Sequence, residues 1–234
     1  MAISIEWEVR RFAELDSTNR RVLDEARAGA AEGLVVVADH QTAGRGRLGR
    51  TWVAPPGSSL LVSVLFRPRA LEAGHLLTTA VALAACDACE RVAGVAPDLK
   101  WPNDLLVDDR KLGGILAEAE GVLVVVGLGL NVNWTSGAPE GAVALNQLAG
   151  REVDRAALLD ELLLSLDVRH GAPDLMDAYR ARCSTIGRRL RVELAGGDLA
   201  GTAVEIDDDG ALVVDVDGER RRVLAGDVVH VRPA

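Results

Sequence analysis

The sequence predicts an α/β domain followed by a small β-barrel, and three observations carry that prediction. At 234 residues the chain can bury one sizeable core and still carry a small appendage. Unbroken aliphatic runs at residues 33–38, 59–66 and 121–132 read as strands buried on both faces, and segments of helical period lie between and after them. From Leu190 onward the texture changes. Short alternating strands are separated by Gly196-Gly197, Asp208-Asp209-Gly210, Asp217-Gly218 and Ala225-Gly226-Asp227, the spacing of an SH3-like barrel of about forty-five residues. The break near Ile186-Gly187 divides the chain into residues 1–186 and 187–234.

Residues 5–14 read as a short strand ending at Asp16-Ser17-Thr18-Asn19, where Asp16 or Ser17 is a good N-cap for a helix to about Ala28. The strand at 33–38 leaves through Asp39-His40-Gln41-Thr42 into a glycine- and arginine-rich stretch, a common layout for a ligand-binding loop. Pro55-Pro56-Gly57 turns the chain into the strand at 59–66, and a long helix follows from about 71 to 92. Leu99-Lys100-Trp101-Pro102-Asn103-Asp104 reads as a strand stopped by proline and a turn, with a short strand after it and a second turn at Asp108-Asp109-Arg110. The next strand opens with Lys111 and the pair Gly113-Gly114, and paired glycines in a strand mark a close approach by ligand or backbone. Asn131 and Asn133, two apart in extended chain, are expected on one face. Helices are expected at 142–148, 155–167 and 174–183.

In Gly44-Arg45-Gly46-Arg47-Leu48-Gly49-Arg50-Thr51-Trp52, three arginines are interleaved with three glycines. No Asp or Glu occurs from His40 to Leu71, while Arg45, Arg47, Arg50, Arg67 and Arg69 all fall inside that window. In a chain of net charge -9 this is a local cationic field. Guanidinium forks match phosphate or carboxylate, and glycines let backbone N–H groups approach a ligand. A solvated loop is the bland alternative for such a run.

Composition narrows the function classes. A pI near 5.0 argues against sequence-independent binding of long nucleic acids, which needs a broad basic face. No apolar run reaches membrane-spanning length and the start shows no signal-peptide pattern, so a cytoplasmic protein is expected. Three cysteines fit a reducing compartment. Cys86 and Cys89 form C-x-x-C inside a helical pattern with no second ligand pair, which reads as packing in preference to a zinc or redox site. Gly127-x-Gly129 lacks the third glycine and the following helix of a dinucleotide fingerprint.

Five motifs in this order resemble the biotin protein ligases: Asp16-Ser-Thr-Asn19, the run from Gln41 to Arg50 with Trp52, Lys100-Trp-Pro-Asn-Asp104, Arg110-Lys-Leu-Gly-Gly-Ile-Leu116, and Gly127-Leu-Gly-Leu-Asn-Val-Asn133. The resemblance covers essentially the whole chain. It implies a mixed-sheet catalytic domain related to class II aminoacyl-tRNA synthetases, followed by an SH3-like barrel. The winged helix-turn-helix of the repressor-type members finds no room before residue 5, so a ligase only is expected, with no DNA partner. Leu48 stands where the family often has arginine or glycine.

The implied activity has two steps. ATP and biotin give biotinyl-5′-AMP and pyrophosphate, and a lysine of a biotin carboxyl carrier domain then attacks the mixed anhydride. Lys111, Arg47 and Asp104 are the expected catalytic residues. Cations must offset repulsion between the biotin carboxylate and the α-phosphate, and Asp104 could take a proton from the acceptor amine. For biotin the resemblance implies Ser17, Thr18, Asn19, Gln41, Gly44, Arg45, Gly46, Arg47, Lys111 and Gly114. For ATP or the adenylate it implies Arg45, Arg47, Arg50, Trp52, Lys100, Asn103, Lys111 and Asn131. Magnesium accompanies the nucleotide, with Asp104 or Asn131 as its nearest protein groups. The arginine-glycine run is expected to close over the adenylate as a lid. A lipoate ligase-like acyltransferase of the same superfamily is the nearest alternative. A nucleic-acid-binding module and a non-catalytic biotin-binding protein are further ones.

Overall fold

The computed structural model describes residues 5–68, 74–135, 139–194, 197–224 and 226–230. Arg69, the first turn expected for the helix at 71, Gly196 and Ala225 lie outside the described residues. A seven-stranded mixed sheet forms the centre, in the order β1-β2-β3-β7-β6-β5-β4. Its strands are β1 (Glu8–Leu15), β2 (Leu34–Gln41), β3 (Ser59–Phe66), β4 (Asp98–Lys100), β5 (Asp104–Val107), β6 (Arg110–Glu120) and β7 (Leu123–Asn131). Only β1 and β2 pair in parallel, and the helix α1 (Thr18–Arg27) makes the crossover between them.

Alternation along the central strands sorts side chains to two faces. Val35, Val62, Val64, Val124, Val126 and Leu128 point to one face and join the large core beneath α2 (Gly74–Ala93), α4 (Arg155–Arg169) and α5 (Leu175–Arg182). Leu34, Val36, Leu65 and Val125 point to the other, where Val22 and Ala26 of α1 cover them. Being covered on both faces is why these strands read as unbroken apolar runs.

The short helix α3 (Leu145–Ala149) begins three residues later than the pattern suggested. Ala142 and Val143 are drawn into extended chain beside Lys111, whose backbone oxygen accepts Val143 N–H at 2.9 Å. Ser17 occupies the N-cap of α1, but its hydroxyl caps no helix N–H. The N–H of Thr18 donates to Oε1 of Gln41 at 2.8 Å, so a side chain from β2 serves that helix terminus. Asp16 instead accepts Ser17 N–H and pairs with Arg20, and the Arg20 hydrogen bond holds its carboxyl below the usual range.

The C-terminal part is a five-stranded antiparallel sheet, order β11-β10-β9-β8-β12, made of β8 (Arg189–Glu193), β9 (Leu199–Ile206), β10 (Leu212–Val216), β11 (Glu219–Val223) and β12 (Asp227–His230). Leu190, Val192, Ile206, Leu212 and Val214 are continuous with the core under α2. Trp101 ties the two sheets together, its Nε1–H donating to Gly210 O at 2.9 Å and its N–H to Thr185 Oγ1 at 3.0 Å. Cys86 and Cys89 are packed in the α2 core, and burial pushes the Cys86 thiol up to about 12. Among the described residues no helix is long and apolar enough to cross a membrane.

Candidate active site

The cleft lies on the α1 face of the large sheet, beyond the end of that helix. There the inward positions of the strands stop being aliphatic. On β7 the series Leu123, Val125 continues as Gly127, Gly129, and on β3 Leu65 gives way to Ser63. Each glycine is required by a neighbour. A Cβ on Gly127 would lie 2.1 Å from Oδ1 of Asn19, and one on Gly129 would lie 2.6 Å from the Trp52 indole. Gly129 pairs across the ladder with Gly114 of β6, whose Cβ position is 3.3 Å from the same indole. The two glycines therefore make a bare patch of sheet on which Trp52 lies flat.

Lys111 reaches this patch because β6 carries a bulge. Leu105 pairs with Gly113 but Leu106 pairs with Lys111, leaving Leu112 as the extra residue. In a regular strand Lys111 and Gly114, three apart, would face opposite ways. The extra residue turns Lys111 onto the Gly114 side, with Nζ 3.3 Å from the Gly114 Cβ position, and sends Leu112 into the core. Nζ lies 2.6 Å from Oδ1 of Asp104, an ionic contact off the line of a hydrogen bond, and 5.7 Å from the centre of the Trp52 ring. The Trp52 Nε1–H is buried and has no acceptor among the described residues, so it is a donor available to a ligand.

The arginine-glycine run forms the roof as a small hairpin, not as an open strap. Trp52 N–H donates to Gly44 O at 3.0 Å and Gly46 N–H to Arg50 O at 2.7 Å, while Arg45 and Thr51 pair between them. Arg50 N–H closes the tip on Arg47 O at 3.1 Å, with Leu48 and Gly49 both at positive φ. Two such residues define the tight turn that suits hairpins, and it favours Asn-Gly over Leu-Gly. Leu48 at φ 54 thus bears backbone strain that the arginine-for-leucine comparison alone does not disclose. Arg47 extends inward from this tip. Its Nη1 donates to Asn103 Oδ1 at 3.2 Å and to Gly226 O at 3.1 Å, so it joins the roof to the β4–β5 turn and to the C-terminal part.

A neutral polar cluster closes the deep end. Gln41 Oε1 accepts both Thr18 N–H and Thr18 Oγ1–H, at 2.8 and 3.0 Å. The Ser63 hydroxyl is 2.7 Å from Thr18 Oγ1 and 2.6 Å from Asn19 Oδ1, with one proton to share between them. Asn19 Nδ2 donates to Leu116 O at 3.1 Å and to Glu118 Oε2 at 2.8 Å. Asn19 is therefore saturated and 4% exposed, which makes it scaffold more than ligand contact. The Ser17 hydroxyl and the Gln41 Nε2 donors are what remain for a ligand in this cluster.

Of the residues singled out in the sequence, Ser17, Thr18, Gln41, Arg45, Gly46, Arg47, Arg50, Trp52, Asn103, Asp104, Lys111 and Gly114 do converge on this one cleft, with Asn19 at its wall. Three others do not line it. Lys100 lines a separate hollow behind the β4–β5 turn with Thr79, Tyr179 and Asp209, because it lies across the hairpin from Asp104. Gly44 lies on the outer side of the roof, where a Cβ would meet Trp52 O at 2.4 Å. Asn131 is 2% exposed, and its Nδ2 donates to Lys111 O and Val143 O, so it supports the backbone of Lys111 from beneath. Nor do Asn131 and Asn133 share a ligand face. β7 ends at Asn131, and Asn133 exchanges hydrogen bonds with Val153. Sequence reasoning missed Ser63, Gly127 as a contact of Asn19, and Glu118. Polar or glycine residues at inward strand positions were the available signal.

Comparison with known proteins agrees with this geometry. Residues 12–133 match the biotin/lipoate A/B protein ligase family, and residues 185–231 match the biotin protein ligase C terminal domain. A biotin–[acetyl-CoA-carboxylase] ligase of Mycobacterium tuberculosis is 43% identical over 94% of this chain and 88% of its own length. The chain belongs to the biotin protein ligase family. The bifunctional ligase/repressor BirA of Escherichia coli is 30% identical, over 92% of this chain and 71% of its own. Among solved structures, the biotin protein ligase of Aquifex aeolicus in complex with biotin and ATP superposes with a TM-score of 0.84 at 26% identity, covering 96% of this chain and 99% of that one.

Proposed function

We propose that the chain catalyses ATP-dependent ligation of biotin to a lysine of a biotin carboxyl carrier domain. The observation that carries this reading is a single cleft with three chemically distinct zones in series. A neutral hydroxyl and amide cluster lies deep, the Lys111–Asp104 pair stands mid-way, and an arginine hairpin forms the roof. A ureido ring is neutral and needs directional donors and acceptors, which Ser17 and Gln41 offer beside Trp52 Nε1–H. With the ring deep, the valeryl carboxylate extends over the bare Gly114–Gly129 patch toward Lys111.

In the first step a carboxylate oxygen forms a bond to the α-phosphorus of ATP and the bond to pyrophosphate breaks. Both reactants are anionic, so Lys111 and Arg47 offset their repulsion and stabilise the charge that builds up. Arg47 acts from the roof and Lys111 from the floor. In the second step an uncharged acceptor amine bonds to the acyl carbon, AMP leaves with the bonding electrons, and the amine proton is lost. Asp104 is the carboxylate placed beside that position and the acceptor for the proton. The hairpin roof and Trp52 exclude water from the mixed anhydride between the steps.

Magnesium would supply charge neutralisation on the nucleotide phosphates. Among the described residues no cluster of three or more acidic, histidine or cysteine side chains is present, so the donor set fits an ion held mainly by phosphate and water with Asp104 as a single protein ligand. Asn131 does not reach it. The division of the chain after residue 186 is supported by the second family match over 185–231, and the acceptor as acetyl-CoA carboxylase by the printed activity of the mycobacterial relative. A lipoate ligase-like reading is less favoured, because a dithiolane ring has no use for the hydroxyl and amide donors at the deep end. Exchange of radiolabelled pyrophosphate into ATP should depend on biotin and not on lipoate. Exchange that ignores biotin would overturn the reading.

A further inference from the structure

Glu118 belongs to none of the groups assigned above, yet its carboxylate holds together two separate segments. It sits on β6 on the same face as Gly114 and Leu116, at the outer rim of the cleft. Oε2 accepts Asn19 Nδ2 at 2.8 Å, and Oε1 pairs with the Arg45 guanidinium. The first contact fixes the amide that receives the Ser63 hydroxyl, and so reaches the deep polar cluster. The second fixes one arm of the roof hairpin. The Glu118 side chain is 21% exposed and that of Arg45 40%, so the pair is screened only in part.

We infer that Glu118 is a positioning residue that sets the height of the arginine hairpin over the cleft and locks it to the deep polar cluster. The inference rests on the ligase reading and goes beyond it. It also divides labour among the arginines. Arg45 is engaged by a carboxylate, while Arg47 reaches Asn103 and the interior, so Arg45 serves as the anchor of the roof and Arg47 as its working cation. Asp at 118 would be one methylene short for reaching both partners. Gln at 118 keeps an acceptor for Asn19 but turns a donor toward Arg45, which opens the roof without removing a buried group.

The test compares wild type, Glu118→Gln, Arg45→Met and the double variant. Biotin-dependent pyrophosphate exchange gives KM and kcat, gel filtration of the loaded enzyme gives the rate of adenylate release, and a thermal melt is recorded for each. Glu118→Gln should raise the KM for biotin and speed adenylate release about five- to tenfold, with kcat changed less than twofold, the size expected for a half-exposed ion pair. Arg45→Met should do the same, and the double variant should be no worse than either alone. Unchanged KM and release in a folded Glu118→Gln protein would overturn the inference. So would additive losses in the double variant, or a fall in kcat equal to that in kcat/KM. Failure of the wild-type enzyme to show biotin-dependent exchange would instead remove the ligase reading itself, so the two failures are distinguishable.

Discussion

The two faces of the seven-stranded sheet use the same strands for opposite purposes. Under α2, α4 and α5 the inward positions are Val62, Val64, Val124, Val126 and Leu128, and the packing is continuous into the C-terminal sheet. On the other face the same strands begin aliphatic under α1 and then switch to Ser63, Gly127, Gly129 and Gly114, where no helix covers them. One face maximises burial and the other removes side chains to admit Trp52, Asn19 and a ligand. Stability and chemistry are thereby separated by a single residue step along a strand, since neighbours point opposite ways. Substitutions on the two faces should accordingly affect different measurements.

The largest effect is expected at Lys111. Lys111→Ala removes a half-exposed cation from the cleft and nothing from the core, so biotinyl-5′-AMP formation should fall by ~10²–10³ with little change in melting temperature. A variant that keeps near-normal adenylation would break the assignment. A large drop in melting temperature would show that the cleft face contributes to stability after all.

Arg47→Gly should have the next largest consequence. It removes the contacts to Asn103 and Gly226 together, and with them the link between roof and C-terminal part. Loss of a charge-assisted contact of ~1.5–3 kcal/mol that acts on release would speed escape of the adenylate roughly ten- to a hundredfold. The freed anhydride should then label lysines of a bystander such as serum albumin. An unchanged off-rate without bystander labelling, in a variant that still makes adenylate, would show that Arg47 does not retain the intermediate.

The comparison is sharpest at two adjacent residues of β7. Leu128→Ala opens a cavity beneath the helices and should cost ~2–5 kcal/mol of stability, with adenylation at low temperature near normal. Gly129→Val, one position on, drives a side chain into the Trp52 indole. Because that indole can swing into the cleft, stability should fall by at most ~1–3 kcal/mol while adenylation falls about tenfold. Denaturant melts and pyrophosphate exchange on both proteins would decide the matter. Equal losses of stability and activity in the two variants would refute the division between faces.

Much of this architecture was legible before any coordinates. Apolar period located β2, β3 and β7 and the helices α2 and α4 to within a few residues, because burial leaves a local imprint on the chain. The change of texture near residue 187 announced the second sheet. The motif residues converged as expected because a resemblance spanning five motifs carries the fold with it. Exceptions were Lys100, Gly44 and Asn131, which belong to the same motifs but face elsewhere.

What the sequence determined alone was which residues are present in the site region and their sign of charge: a run free of acids, two pairs of glycines, one lysine at the head of β6. Tertiary structure alone decided where they point. The bulge at Leu112 puts Lys111 over Gly114, the register of β6 against β7 sets Gly114 opposite Gly129, and Arg47 meets a carbonyl 179 residues away. The physical reason is the two-residue period of a strand. A single extra residue reverses every side chain beyond it, and whether that residue is accommodated as a bulge is settled by partner strands distant in sequence.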